Sequence, residues 1–185
     1  MPSPFLQTTR LTLRPYTLAD IPAFLPLIAA REVAATTLRI PHPYSEAQAR
    51  EFVALTEQQN VSGSCVRLCV VIRESGAICG GTGLMLEPDH RRAELGYWIG
   101  VPYWGNGYAT EAAAAMVKYG FEHLDLYRIH AGYFAGNLAS KRVLEKIGMR
   151  HEGCQRGHML KWGKFCDQEL YGMVAEDWKN LSPRS

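Results

Sequence analysis

The stretch WGNGYATEAAAAMVKYGFEHL, residues 104–124, decides how the rest of the chain is read. Gly105 and Gly107 stand one residue apart, and an alanine-rich run with helical spacing follows at once. Glycine is poor inside helices, so a loop this rich in it, set against a strong helix, marks backbone that something approaches closely. The first four amides of a helix have no internal partner, and the macrodipole makes that end positive. Together they form an anion site of the kind that takes phosphate. A helix N-cap with no ligand is the alternative.

Outward from this stretch, the chain alternates between two periods. Upstream, Leu11 to Arg14 alternates as a short strand. Thr17 and Asp20 resemble a capping box, predicting a helix to about Arg31. Residues 36–44, TTLRIPHPY, form a loop because of their two prolines. Ser45 with Gln48 opens a second helix to about Gln59. CVRLCVVIR and ICGGTGLML, joined by ESGA, predict a hairpin, and AELGYWIG (93–100) a third strand of the same meander. Downstream of the helix from about Tyr108 to Glu122, RIHAGYF predicts a strand, ASKRVLEKIG a helix and ELYGMVA a closing strand. The predicted order is β-α-α-β-β-β-α-β-α-β-β, a single mixed α/β domain over residues 1–185, with no internal repeat or linker.

That order excludes two phosphate motifs. A Rossmann fingerprint needs a third glycine, where Thr110 stands, and a crossover-linked parallel unit, where this chain has hairpins. A Walker loop needs a Lys-Ser/Thr pair after the glycines, which is missing.

Composition narrows the class further. The chain has 185 residues, 47% hydrophobic and 21% charged, ordinary for a globular domain with a real core. A net charge of +2 carries no nucleic-acid footprint. Arg91 and Arg92 read as a solvated turn before a strand. No stretch is long and apolar enough for a membrane span, and MPSPFLQTTR lacks a signal-peptide core. The five cysteines (Cys65, Cys69, Cys79, Cys154 and Cys166) are an odd count, which predicts free thiols and a cytoplasmic protein. Cys65 and Cys69 face one side of a strand, and they read as buried thiols rather than zinc ligands; no metal site is expected.

The segment WGNGYA resembles the Q/R-x-x-G-x-G/A pyrophosphate loop of the GNAT superfamily of acetyl-CoA-dependent N-acetyltransferases, with Trp104 in the Gln/Arg position. That tryptophan is similar to the ribosomal-protein N-terminal acetyltransferases of the RimJ/RimL type. Four further blocks resemble the same subgroup in the same order: LTLRPYTLADIPAFLPLI, AELGYWIG, GNLASKRVLEKIGMRHEG and GKFCDQELYGMV. The resemblance covers almost the whole chain. It implies an antiparallel meander, then a splayed parallel strand pair, with helices on both faces.

What the resemblance implies about chemistry follows residue by residue. The loop from Trp104 through Gly105, Asn106, Gly107, Tyr108 and Ala109 to Thr110 would hold the pyrophosphate of acetyl-CoA without a metal. A backbone amide between Ile99 and Val101 would face the thioester carbonyl and stabilise the oxyanion. Asn137 corresponds to a residue that bonds the pantetheine arm; a helix N-cap is its rival role, and it can do both. Glu94 is the candidate general base, with an ordinary strand ion pair to Arg91, Arg92 or a neighbour as the alternative. The tyrosine that many members carry as general acid is replaced by Leu144, leaving Ser140 as candidate acid or as a capping residue. Met159, with His158 beside it, stands where the subgroup can carry a glutamate. Phe24, His42, Tyr44, Trp98, Tyr103 and Trp162 are candidates for the acceptor pocket or for core. The expected reaction moves acetyl from acetyl-CoA to a primary amine, first of all a protein N-terminal α-amine. The alternatives are a small-molecule amine (polyamine, amino acid or antibiotic) and a non-catalytic acyl-CoA sensor. No nucleic-acid or membrane partner is expected, and the protein is a monomer or a homodimer.

Overall fold

The computed structural model describes residues 4–181; the expected span of 1–185 extends beyond it at both ends. Its centre is one eight-stranded sheet among the described residues. In chain order the strands are β1 (Leu6–Gln7), β2 (Leu11–Arg14), β3 (Cys65–Ile72), β4 (Ile78–Glu87), β5 (Arg92–Ile99), β6 (Arg128–Phe134), β7 (Arg150–Lys161) and β8 (Lys164–Val174). They lie side by side as β1-β2-β3-β4-β5-β6-β8-β7. Every neighbouring pair is antiparallel except β5 and β6. The helices are α1 (Ile21–Ile28), α2 (Arg31–Thr36), α3 (Glu46–Ser62), α4 (Tyr108–His123), α5 (Leu138–Lys146) and α6 (Ala175–Leu181).

Strand alternation divides the core in two. Val66, Leu68 and Val70 of β3 face the layer of α4 and α5, packing with Ala112, Ala113, Met116, Val117 and Leu144. Cys69 and Val71 face the other layer, with Phe24 and Ile28 of α1 and Ala49 and Val53 of α3. A central strand buried on both faces therefore has no polar alternation, as CVRLCVVI shows. The alanines of α4 let it approach the sheet closely, and Gly120 carries this furthest: a Cβ there would lie 2.7 Å from Ile129 Cδ1.

The predicted helix from Thr17 to Arg31 is a correction. Asp20 does receive the Thr17 amide (2.8 Å), but the segment forms a 3-10 turn at Leu18–Asp20, then α1, then a break and α2. Pro26 inside α1 removes a backbone donor, and Ala30 is extended (φ −60°, ψ 132°), which ends the run. The Ser45 box holds as predicted, with the Ser45 amide donating to Gln48 Oε1 at 2.8 Å, and Gly63 (φ +74°) ending α3. The last hairpin turns at Trp162 and Gly163, both with positive φ, as a tight two-residue connection demands.

The feature that positions the site is the parallel pair. β5 and β6 share only Arg92↔Arg128, Ala93↔Ile129 and Glu94↔His130. Beyond that rung β5 continues against β4 to Ile99, and β6 continues against β8 to Phe134. The sheet opens between them.

Candidate active site

A cavity of about 720 Å³ occupies this opening and is lined from both layers of the fold. Odd residues of β5 face the α4/α5 layer, where Tyr97, Ser140 and Leu144 line it. Even residues face the other way, and Glu94, Trp98 and His130 line it there, with Arg39 and Tyr44 from the loop before α3. One space thus reaches both sides of the sheet.

On the α5 side, Asn137 is the N-cap: its Oδ1 accepts the Ser140 amide at 3.1 Å. The cap sets the first turn of α5 and with it the Ser140 hydroxyl, which is hydrogen-bonded to Tyr97 Oη at 2.7 Å. Burial pushes the Tyr97 phenol up to about 12, against a smaller lowering by Ser140, so it keeps its proton at neutral pH. Tyr97 was absent from the candidates read from sequence. Its only signal was a tyrosine at an odd position of AELGYWIG, indistinguishable there from a core aromatic. Leu144 is 1% exposed, a packing residue at the cavity wall.

On the opposite side, Glu94 is paired, but with neither Arg91 nor Arg92. Arg91 binds Asp125, Arg92 binds Glu87, and the Glu94 carboxylate receives Arg39 Nη2 at 2.7 Å. His130, its partner across the last parallel rung, has a buried Nδ1 with no hydrogen-bond partner among the described residues. Burial lowers the His130 pKa, with Glu94 opposing, so the ring is neutral at neutral pH.

Of the residues predicted for an acceptor pocket, Tyr44 and Trp98 line the cavity. Phe24 lies fully buried beneath, His42 and Trp162 pack on each other outside it, and Tyr103 packs on the α4 side. Met159 lines the cavity, and His158 is exposed.

The glycine loop sits at the far end of β5, outside that cavity's lining. Gly105 (φ +79°) and Gly107 (φ +80°) are both left-handed, which is the local reason for glycine at each. A Cβ on Gly105 would meet nothing within 4 Å, so the space over that residue is open, and one on Gly107 would lie 3.5 Å from Arg10 Nη2. Gly107 caps α4, whose first bond runs from the Glu111 amide to the Gly107 carbonyl (3.1 Å); the amides of Tyr108, Ala109 and Thr110 have no helical partner. Asn106 and Trp104 shape the loop: Asn106 Nδ2 donates to the carbonyls of Tyr103 and Trp104, and Trp104 Nε1 donates to the Ile99 carbonyl at 2.6 Å. Gly100 N–H donates to the Cys79 carbonyl on β4, so by alternation the Ile99 N–H faces away from β4, toward the opening. Val101 lies in a 3-10 turn just beyond.

Sequence reading also missed the clamp on this loop. Arg10 donates through Nε to Glu111 and through Nη1 to the Asn106 carbonyl, and its guanidinium lies 4.9 Å from the centre of the Tyr108 ring. Glu111 also receives Thr8 Oγ1 and the Arg10 amide. Burial alone would raise this carboxyl, but these donors hold it below the usual range. The two partners are about a hundred residues apart in the chain, a distance no local motif spans.

These features suit an acyl-CoA donor: free amides at a helix start, open space over Gly105, and a gap between strands leading to a cavity. The described residues contain no cluster of three or more His, Cys, Asp or Glu placed to hold a metal, and no helix long and apolar enough to cross a membrane.

Comparison with known proteins agrees. The acetyltransferase (GNAT) domain model matches residues 10–150. The uncharacterized N-acetyltransferase YoaA of Bacillus subtilis is 35% identical over 176 residues, covering 92% of this chain and 97% of the relative. A GNAT-family acetyltransferase from Bacillus anthracis superposes with a TM-score of 0.83 at 27% identity, over 94% of this chain and 99% of that one. RimL, a ribosomal L7/L12 α-N-protein acetyltransferase solved with coenzyme A, shares the fold with a TM-score of 0.84 at 19% identity, over 92% and 98%. With a matching domain model, a near full-length relative and a splayed sheet beside a glycine-capped helix, the chain belongs to the GNAT family and is an acetyl-CoA-dependent N-acetyltransferase.

Proposed function

We propose that this enzyme acetylates the α-amine of a protein N-terminus, acting in the cytoplasm as a single domain of 1–185, monomeric or homodimeric. The observation that carries the reading is the Glu94–Arg39 ion pair at 2.7 Å. The guanidinium occupies one of the two carboxylate oxygens, so the site offers the amine proton a single carboxylate that is already engaged. At pH 7 a neutral α-amine costs about 1–1.4 kcal/mol to reach, and a neutral lysine about 4.6. A site whose one carboxylate is already engaged suits the easier proton. The fold likeness to RimL supports the same acceptor.

In this reading the amides of residues 105–110, with Trp104 and Asn106 shaping the turn, bind the pyrophosphate. Asn137 bonds the pantetheine arm through its amide nitrogen, since its oxygen serves the α5 cap. The Ile99 amide, with Val101 beside it, stabilises the oxyanion. Glu94 accepts the amine proton directly or through water. Ser140 gives a proton to the departing sulfur, its hydroxyl oriented by Tyr97. Acetyl-CoA supplies the activated acyl group; the protein binds, aligns and moves protons.

The test is acetyl-CoA with peptides bearing a free N-terminus, a blocked N-terminus with an internal lysine, or both, with the acetyl group located by tandem mass spectrometry. Modification of free N-termini is expected. Transfer only to internal lysine, or only to free polyamines and amino acids, would overturn the acceptor and leave the reaction class standing.

A further inference from the structure

We infer that the acceptor carries a carboxylate close to its reacting amine, and that Arg39 is the group that receives it. The inference rests on reading the Glu94 side of the cavity as the acceptor's side.

The first support is charge balance. The full charges lining the cavity are Arg39, Arg67 and Glu94. His130 adds none at neutral pH, because burial keeps it neutral. Arg67 is engaged by Gln59 Oε1 at 2.6 Å, a neutral acceptor that leaves its charge uncompensated. A simple ammonium entering this space meets two guanidiniums and one carboxylate already in use. At Glu94 it must share the carboxylate with the Arg39 guanidinium 2.7 Å away, a like charge that opposes it. An acceptor with both charges avoids this. Its ammonium takes Glu94, its carboxylate takes Arg39, and two ion pairs replace one.

The second support is how Arg39 is held. Lys161 Nζ, from the end of β7, donates to the carbonyls of Ile40 (3.0 Å) and Leu38 (3.4 Å), the residues on either side of Arg39. The backbone is thus fastened at the point that presents the guanidinium to the cavity. One arm of the fork binds Glu94, while among the described residues Nη1 has only the Met85 thioether sulfur, at 3.0 Å. Sulfur is a weak acceptor, so that arm gains by exchange for a carboxylate oxygen. The Arg39 side chain is 58% exposed, within reach of an incoming molecule.

The carboxylate can come from a free amino acid or from an acidic residue at a peptide N-terminus, and matched pairs separate the two. Steady-state kinetics compares peptides beginning Asp and Asn, free amino acids and their amides, and lysine and 1,5-diaminopentane, each corrected to neutral-amine concentration. We expect kcat/KM to favour the carboxylate-bearing member by about tenfold or more, mainly through KM. Arg39→Gln should erase that ratio, and Arg39→Lys should keep part of it. A wild-type ratio near one in every pair overturns the inference, as does a ratio that Arg39→Gln leaves unchanged. Where turnover is too slow to measure, calorimetric binding of the same pairs to the CoA-loaded enzyme decides, equal affinities being the overturning result. Which amine is modified tests the N-terminal proposal separately, since the ratio is read within each pair.

Discussion

Tyr97 changes what the site can do at the scale of single residues. With Leu144 buried in the wall, the proposed acid Ser140 would be an unaided hydroxyl. The phenol 2.7 Å away can donate into the Ser140 oxygen and leave its proton aimed elsewhere. Ser140→Ala should lower kcat by about 10² or more, in the range of a lost general acid. Tyr97→Phe should lower it by about tenfold, with acetyl-CoA affinity unchanged. Because burial holds the phenol up to about 12, the alkaline limb of the pH–rate profile should be the same in Tyr97→Phe and wild type. A limb that disappears in Tyr97→Phe would show that Tyr97 itself ionises during turnover.

At the scale of elements, α4 and its loop form one device. Glycine is required by φ near +80° at both Gly105 and Gly107. Gly107→Val forces a β-branched residue into the left-handed region, at a cost of about 1–2 kcal/mol, and fills part of the proposed pyrophosphate site. Glu111 stays anchored by Thr8 and Arg10, so α4 should keep its place. The expected result is a folded protein, melting several degrees lower, with acetyl-CoA affinity reduced at least tenfold by titration calorimetry. Unchanged affinity in the folded variant would remove the loop from the donor site.

At the scale of the molecule, the sheet is two antiparallel blocks joined by three parallel rungs. A further bridge is the tip of the β7–β8 hairpin, where Lys161 holds the 38–40 backbone and Trp162 packs near His42 and Arg31. This contact closes the acceptor side without touching the glycine loop. Lys161→Ala should speed amide hydrogen exchange at residues 37–40 and at the hairpin tip, while β3 and β4 stay protected. It should raise KM for the acceptor and leave acetyl-CoA affinity alone. Equal exchange in both proteins would show that the hairpin holds by packing without the lysine.

Local pattern carried most of the architecture. The meander, the glycine-capped helix, the helix at 139–148 and the closing strand were all legible, because period-2 and period-3.6 patterns and caps are written in neighbouring residues. The resemblance points to Glu94, Ser140 and Asn137, and the cavity gathers Glu94 and Ser140 from opposite layers. The chain's own pattern failed where partners are distant. The run from Thr17 to Arg31 reads as one helix, but the chain breaks at the extended Ala30. Tyr97 at Ser140, Arg39 on Glu94, and Arg10 on Glu111 each join residues from 43 to 101 positions apart. Periodicity tells which face a side chain takes, so it determined the sheet, the helices and the face on which each candidate lies. Which charge meets which depends on how the folded elements cross, and only the tertiary structure decides that.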